Sequence, residues 1–170
     1  VANLFNVVFI ALGSAISIIV GQQLGAGKLE EAVDTDRKMI VFSVFCCFVI
    51  GACMFAIAPF FPRIYNTTEE VRGLAKQFIR IASACMPLYG FMHATYFTLR
   101  SGGRTVITFL FDSVYIWVVD IPLAFVLTRF TGLTIVSIYL SCQLIEIIKC
   151  IIGYVMVKKK IWVNNMVMEH

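Results

Sequence analysis

Charged residues are absent from long stretches of this sequence, and their distribution restricts what the chain can fold into. Hydrophobic residues make up 60% of the chain and charged residues only 14%, against a usual charged share of about a quarter. This composition excludes a disordered chain and disfavours an ordinary soluble domain. Five stretches carry no charge or at most two charged side chains, and each is long enough to cross about 30 Å of hydrocarbon at about 1.5 Å per residue. They lie at 1–27, 39–62, 81–99, 105–128 and 134–157.

These stretches predict an all-α, polytopic integral membrane bundle of five transmembrane helices. The connections between them are short enough for antiparallel neighbours. Because Val1 lies inside an apolar stretch, we expect the chain to be a piece of a longer protein. We place the spans at about 2–20, 39–62, 77–99, 105–128 and 134–157.

Lysine and arginine are divided unequally between the two sides of such a bundle. The first and third connections and the C-terminal tail carry eight of them, and the second and fourth connections carry four. Cytoplasmic loops are enriched in these residues. We therefore predict a multi-pass protein of the plasma (inner) membrane with a cytoplasmic C-terminus. The net charge of +4 reflects the same bias, so we expect no nucleic-acid partner.

The first connection, residues 21–38, contains glycines, acids and bases. It is not a phosphate-binding loop, because neither Gln22 nor Leu29 fits that motif. Gly25 and Gly27 predict the end of a helix, since glycine tolerates a positive φ there. The apolar residues that follow recur at roughly helical spacing among the charges. This pattern predicts an amphipathic segment lying along the membrane surface.

The sequence contains no pattern that indicates an enzyme. Its six cysteines fall inside the predicted spans and form no C-x-x-C pair, so we expect them to be packing residues. It contains no H-E-x-x-H motif and no arrangement that suggests a nucleophile with its base. We therefore predict no catalytic residue, no metal site and no cofactor.

Four short motifs occur in a fixed order along the chain. GQQLGAG at 21–27 is similar to a Gly-Gln-x-x-Gly-Ala-Gly segment that closes the second helix of a transporter lobe. LRSGGRT at 99–105 is similar to an Arg-x-Gly-Gly-Asp-Thr turn, with Arg104 in place of the usual Asp. WVVDIPLA at 117–124 and the ending KIWVNN at 160–165 complete the set. In these motifs the chain resembles the multidrug and toxic compound extrusion (MATE) family over nearly its whole length.

The resemblance implies that the chain is a fragment of the C-terminal lobe, helices eight to twelve of a two-lobe, twelve-helix transporter. Family members export amphipathic, mostly cationic drugs or toxic compounds in exchange for Na⁺ or H⁺. The implied partners are therefore the lipid bilayer, such cations, and the missing N-terminal lobe of the same chain. The implied function is part of a cation-coupled antiporter, with the coupling ion open between Na⁺ and H⁺.

Ionisable residues inside predicted spans are candidate residues of a substrate or ion pathway. Asp112 and Asp120 lie in the fourth span, about 80° apart around a regular helix. Either could carry coupling. Asp120 could instead pair with a neighbouring helix, or be a partner in a helix opening beside Pro122, whose missing amide frees a carbonyl. Glu146 and Lys149 in the fifth span are three residues apart, so we expect them to form an ion pair on one helix face. This pair resembles the Glu-x-x-Arg/Lys of the family's last helix.

The third predicted span lacks an acidic residue that some branches of the family carry on the tenth helix. Because 77–99 contains no Asp or Glu, the resemblance allows the coupling carboxylate to lie in the missing lobe. Pro87 predicts a kink. The span offers aromatic and thioether side chains, which suit planar cations and are equally typical of a packed helix. The further candidates on it are Met86, Tyr89, His93 and Tyr96.

Two other functions remain open. A lipid-linked oligosaccharide or lipid flippase of a related two-lobe fold would line its cavity with Arg and Lys for a pyrophosphate. Only Arg80 and Lys149 are Arg or Lys residues inside the predicted spans, beside three acids, which disfavours that function. A non-transporting membrane interaction remnant would keep the same motifs.

Overall fold

The computed structural model of the chain describes residues 2–64, 68–103 and 105–163. Those residues contain five long helices and no strand, which confirms the predicted all-α membrane bundle. A short 3₁₀ helix, Phe61–Ile64, follows the second helix. The long helices are α1 (Ala2–Gly25), α2 (Leu29–Ile57), α3 (Glu69–Ser101), α4 (Thr105–Phe130) and α5 (Ile135–Lys158).

Four of these helices are long and apolar enough to cross a membrane, namely α1, α2, α4 and α5. The remaining helix, α3, has 33 residues, so its length also suffices for a crossing. Its first turn contains Glu69 and Glu70, and further charges follow as far as Arg80. The charge-free part of α3 is therefore residues 81–99, and Arg100 follows in its last turn.

The beginning of α2 corrects one expectation. Gly25 ends α1 and Gly27 has a φ of 74°, as predicted. The next helix, however, runs from Leu29 without a break to Ile57. The segment predicted to lie along the membrane surface is instead the first turns of α2. The reason is packing, because Ala32 and Asp36 on these turns are buried against the rest of the bundle.

The central helix is α3, which packs against α1, α2 and α5. Glycines allow α2 and α3 to approach closely, as small residues do between membrane helices. A Cβ atom added at Gly51 would lie 2.6 Å from the Ser83 carbonyl oxygen, and one added at Gly90 would lie 2.6 Å from Cys47 Sγ. Cys47 is fully buried there as a free thiol, in agreement with the predicted packing role, whereas Cys53 is exposed.

The outer surface of the bundle is apolar. Phe42, Phe45 and Phe48 on α2 are all exposed, as expected where lipid or another part of the protein covers a helix. In α4 only 6% of the most apolar stretch is buried within this chain. Apolar packing therefore does little to hold α4, and its contacts with α5 matter correspondingly more.

Candidate functional site

Two wide, π-helical turns interrupt α4, at Leu110–Val114 and Ile116–Asp120. They lie directly before Pro122, which has no N–H to continue the regular hydrogen-bonding pattern. The N–H of Ile121 instead bonds to the carbonyl of Ile116, five residues earlier. Turns of this kind change the direction of side chains and frequently occur at functional sites. Each of the two wide turns contains one of the aspartates predicted as candidates.

The first of these aspartates, Asp112, forms an ion pair with α5. Lys149 Nζ donates to Asp112 Oδ1 at 2.8 Å, and the Lys149 side chain is only 4% exposed. The ammonium also lies 5.4 Å from the ring centroid of Phe111 and 5.6 Å from that of Tyr115. The predicted pair of Lys149 with Glu146 is therefore wrong. A buried ammonium needs a partner, and the wide turn of α4 supplies one from the neighbouring helix.

Asp120 and Glu146 face each other across the same helix pair, within hydrogen-bonding reach. Oδ1 of Asp120 and Oε2 of Glu146 are buried and find no donor among the described residues. Two adjacent carboxylates repel each other unless a proton or a cation lies between them. One proton would make one of them a donor to the other. Within the described ranges no group of three or more His, Cys, Asp or Glu side chains is arranged to hold a metal ion.

Further hydrogen bonds join the helices that carry these groups. The Tyr89 hydroxyl of α3 donates to Oε1 of Gln143, which lies three residues before Glu146 on α5. The Tyr115 hydroxyl of α4 donates to the Ile145 carbonyl at 2.8 Å. Sequence reasoning did not identify Gln143. We use the name polar layer for the α3, α4 and α5 side chains that form three pairs, Tyr89–Gln143, Asp112–Lys149 and Asp120–Glu146.

The other candidates on α3 do not join the polar layer. His93 Nδ1 lies 3.0 Å from the carbonyl oxygen of Tyr89, and its ring stacks on Phe9 of α1 with centroids 5.0 Å apart. Met86 is buried with residues of α1 and α2. The half-buried Tyr96 ring packs edge-on against the ring of the next residue. Phe9 of α1 contacts the rings of Tyr89 and His93 and belongs to the same buried cluster as Met86. The spacing of the candidates places them on one face of α3, part of which packs against α1.

Asp36 is a buried acid that sequence reasoning did not single out. It is 1% exposed, and the hydroxyl of Thr98 on α3 donates to its Oδ1 at 2.5 Å. Its charged neighbours in sequence suggested a solvated segment. The signal that could have identified it is its spacing, because Asp36 lies four residues after the buried Ala32 and four before the buried Ile40. Residues spaced in this way share one helix face.

Comparison with known proteins gives consistent matches. Residues 1–126 match the family model MatE. The "Probable multidrug resistance protein YoeA" of Bacillus subtilis is 24% identical over 145 residues, covering 83% of this chain and 30% of that protein. The "Probable multidrug resistance protein NorM" of Oceanobacillus iheyensis is 26% identical over 139 residues, covering 78% and 30%. The chain thus spans about a third of the length of these relatives. No solved structure matches it.

Proposed function

This chain belongs to the MatE family, and on that premise we propose that it forms part of an antiporter that exports amphipathic cations in exchange for a coupling cation. The multidrug resistance names of its relatives support this function. The charge distribution supports a cytoplasmic C-terminus, and we propose the plasma membrane as the location. We propose that an N-terminal lobe of the same protein completes the transport cavity.

The polar layer is the observation within this chain that supports cation coupling. We propose H⁺ as the coupling ion and the space between Asp120 and Glu146 as the place where it binds. A proton there removes the repulsion between the carboxylates and holds α4 against α5, whereas its loss favours their separation. A difference of this kind between two conformations is what coupling requires.

We favour H⁺ over Na⁺ as the coupling ion because few oxygen ligands are available at this contact. A metal cation needs several oxygen ligands that converge on one point, whereas a proton needs only two facing oxygens. Lys149 contributes by pairing with Asp112 at 2.8 Å. Asp112, the third acid between α4 and α5, is therefore not available to Asp120 and Glu146. For the drug, Tyr89 and Tyr96 of α3 offer aromatic faces for a planar cation.

The test is transport by the whole protein that carries this chain, reconstituted in proteoliposomes, with ethidium as the probe. A pH gradient or a Na⁺ gradient is imposed, and initial rates are compared for the unaltered protein, Asp120→Asn and Glu146→Gln. We expect the pH gradient to drive transport and each variant to lose about tenfold or more of the rate, within the usual range of coupling energies. Asp34→Asn is the matched control, because Asp34 is exposed and pairs with Lys38 on the surface of α2.

Different results contradict different parts of this proposal. Unchanged rates in both variants would exclude the Asp120–Glu146 contact as the coupling site. Transport driven only by Na⁺ would exclude the proton and leave the antiporter intact. An absence of transport under either gradient would contradict the antiporter and favour the non-transporting remnant.

The flippase alternative finds less support. A pyrophosphate would require cations that are free to bind it, but Lys149 is neutralised by Asp112. Arg80 lies over the Phe55 ring, with 5.4 Å between its Cζ atom and the ring centroid, and belongs to the charged part of α3. The match to transporters also agrees with the prediction that the chain is not an enzyme.

A further inference from the structure

A cavity of about 510 Å³ lies away from the polar layer, between the first half of α2, the middle of α3 and the end of α5. Val33, Ile40, Val44, Phe91 and Val157 give it an apolar wall. Two further lining residues, Val41 and Tyr154, are 65% and 55% exposed. The cavity therefore opens sideways onto the outer surface of the helix bundle.

The cavity has a cationic end. Arg37, Lys158 and Lys160 line it, and none of the three forms an ion pair with a carboxylate of the described residues. Lys158 Nζ lies 5.8 Å from the ring centroid of Tyr154. Asp36 is the one acid on the wall, and its Oδ1 accepts a hydrogen bond from Thr98. Cations thus outnumber acids by three to one around this space.

A buried donor without an acceptor completes the lining. Trp162 is 1% exposed, and its Nε1–H group has no acceptor within the described part of the chain. The backbone places this ring firmly. Lys160 adopts a φ of 54°, which is uncommon for a residue with a side chain. A Cβ atom added at Gly102 would lie 1.9 Å from the Trp162 carbonyl oxygen, so the segment after α5 is tightly packed against the end of α3.

We propose that this cavity binds one anionic glycerophospholipid. An acyl chain lies along the apolar wall, and the phosphate lies among Arg37, Lys158 and Lys160. Trp162 Nε1–H donates to a phosphate or ester oxygen. The lateral opening favours a lipid over a free phosphate ion, because only a lipid supplies an apolar chain to cover the wall. The unneutralised cations disfavour a cationic drug. Basic pockets between membrane helices are known to bind anionic lipid headgroups.

The position of the cavity along the helices agrees with this occupant. It lies at the end of the bundle where α1 is joined to α2, α3 is joined to α4, and α5 ends. These are the connections that carry most of the Lys and Arg residues. Headgroups of the cytoplasmic leaflet meet a protein at this level, and aromatic side chains such as Tyr154 are typical of it.

The test is native mass spectrometry of the whole protein, delipidated in detergent and titrated with a phosphatidylglycerol or a phosphatidylcholine of the same acyl chains. We expect phosphatidylglycerol to bind about tenfold more tightly. The double variant Arg37→Ala/Lys160→Ala should weaken its binding about 25-fold, at about fivefold for each cation removed. The matched control is Lys28→Ala/Lys38→Ala. It removes the same charge from the same end, but its lysines are exposed and paired with Glu31 and Asp34.

A second variant tests the buried donor without removing a charge. Trp162→Phe keeps an aromatic ring and deletes the N–H group. We therefore expect weaker phosphatidylglycerol binding and an unchanged melting temperature of the protein. Equal binding of the two lipids would overturn the proposal, as would equal losses in the cavity variant and its control. Displacement of phosphatidylglycerol by millimolar inorganic phosphate would also overturn it, because the site would then recognise a phosphate ion alone.

Discussion

Lys149 illustrates how a membrane chain keeps a charge away from water. Its ammonium is held by Asp112 and two aromatic rings, and its burial is nearly complete whereas the Asp112 side chain is 47% exposed. The two partners are therefore not equivalent. Removing the carboxylate leaves a buried cation without a partner, whereas removing the lysine leaves an acid that other groups or water can reach.

We predict that Asp112→Asn destabilises the protein more than Lys149→Met does. The first change should cost about 3 kcal/mol, because it leaves an uncompensated buried charge, and the second should cost about 1 kcal/mol or less. The double variant should recover most of the loss. Thermal unfolding of the whole protein in detergent measures all three. Equal losses in the two single variants would show that the pair does not work as described.

Individual residues were the hardest to predict from sequence. Asp112, Asp120, Glu146 and Lys149 were recognised as candidates because charges inside apolar stretches are conspicuous. Their partners were not, because a three-residue spacing on a regular helix favours Glu146 with Lys149, and only the wide turns of α4 redirect Asp112. Asp36 was overlooked for the opposite reason, since a charge among other charges gives no sign that it is buried.

At the level of elements, the contact between α2 and α3 depends on the absence of side chains. Gly51 and Gly90 lie where a Cβ atom would meet the facing helix. Gly73, also within α3, has open space around it. A Gly→Ala substitution in α3 therefore meets open space at one position and a packed neighbour at the other. Comparing the two separates the effect of helix propensity on stability from the effect of packing.

We predict opposite effects for Gly90→Ala and Gly73→Ala. At Gly90 the new methyl group would lie 2.6 Å from the buried Cys47 Sγ, and overpacking of this kind costs about 1–3 kcal/mol. At Gly73 alanine should stabilise the helix by up to about 1 kcal/mol, because it favours the helical backbone. Thermal unfolding in detergent measures both changes. A loss of stability at Gly73 equal to that at Gly90 would contradict the packing explanation.

The number and order of the helices followed from the charge-free stretches, whereas their ends did not. Hydropathy detects the part of a helix that crosses lipid, and helices extend past it wherever packing continues. For this reason α2 begins at Leu29, before the span predicted from residue 39, and α3 begins at Glu69, before the span predicted from residue 77. The π-helical turns had no signal except Pro122, which indicates a disturbed hydrogen-bonding pattern without specifying its form.

At the scale of the whole molecule, two contacts bring separate connections to one end of the bundle. Asp36 near the first connection bonds to Thr98 near the third, and Trp162 after α5 packs against Gly102. These contacts agree with the prediction that the first connection, the third connection and the C-terminal tail lie on the same side of the membrane. They do not depend on which side is the cytoplasm, so that assignment needs its own measurement.

We predict that a fluorescent protein fused after His170 is fluorescent, as expected in the cytoplasm, and that alkaline phosphatase inserted at Gly132 is active, as expected outside it. Gly132 lies in the exposed connection between α4 and α5. The two reporters should then be exchanged between the sites as the control, and both signals should be lost. Signals that appear only after the exchange would reverse the orientation.

The polar contacts between α4 and α5 also have a consequence for biosynthesis. A helix with two acids near its middle enters the bilayer poorly by itself, at a cost of up to about 2.5–3.5 kcal/mol for each. The lysine that offsets one of these acids and the carboxyl group that faces the other both belong to α5, which follows after only residues 131–134. As the ribosome extends the chain, α4 gains its partners only when α5 has emerged, so we expect the two helices to leave the translocon for the lipid as one hairpin.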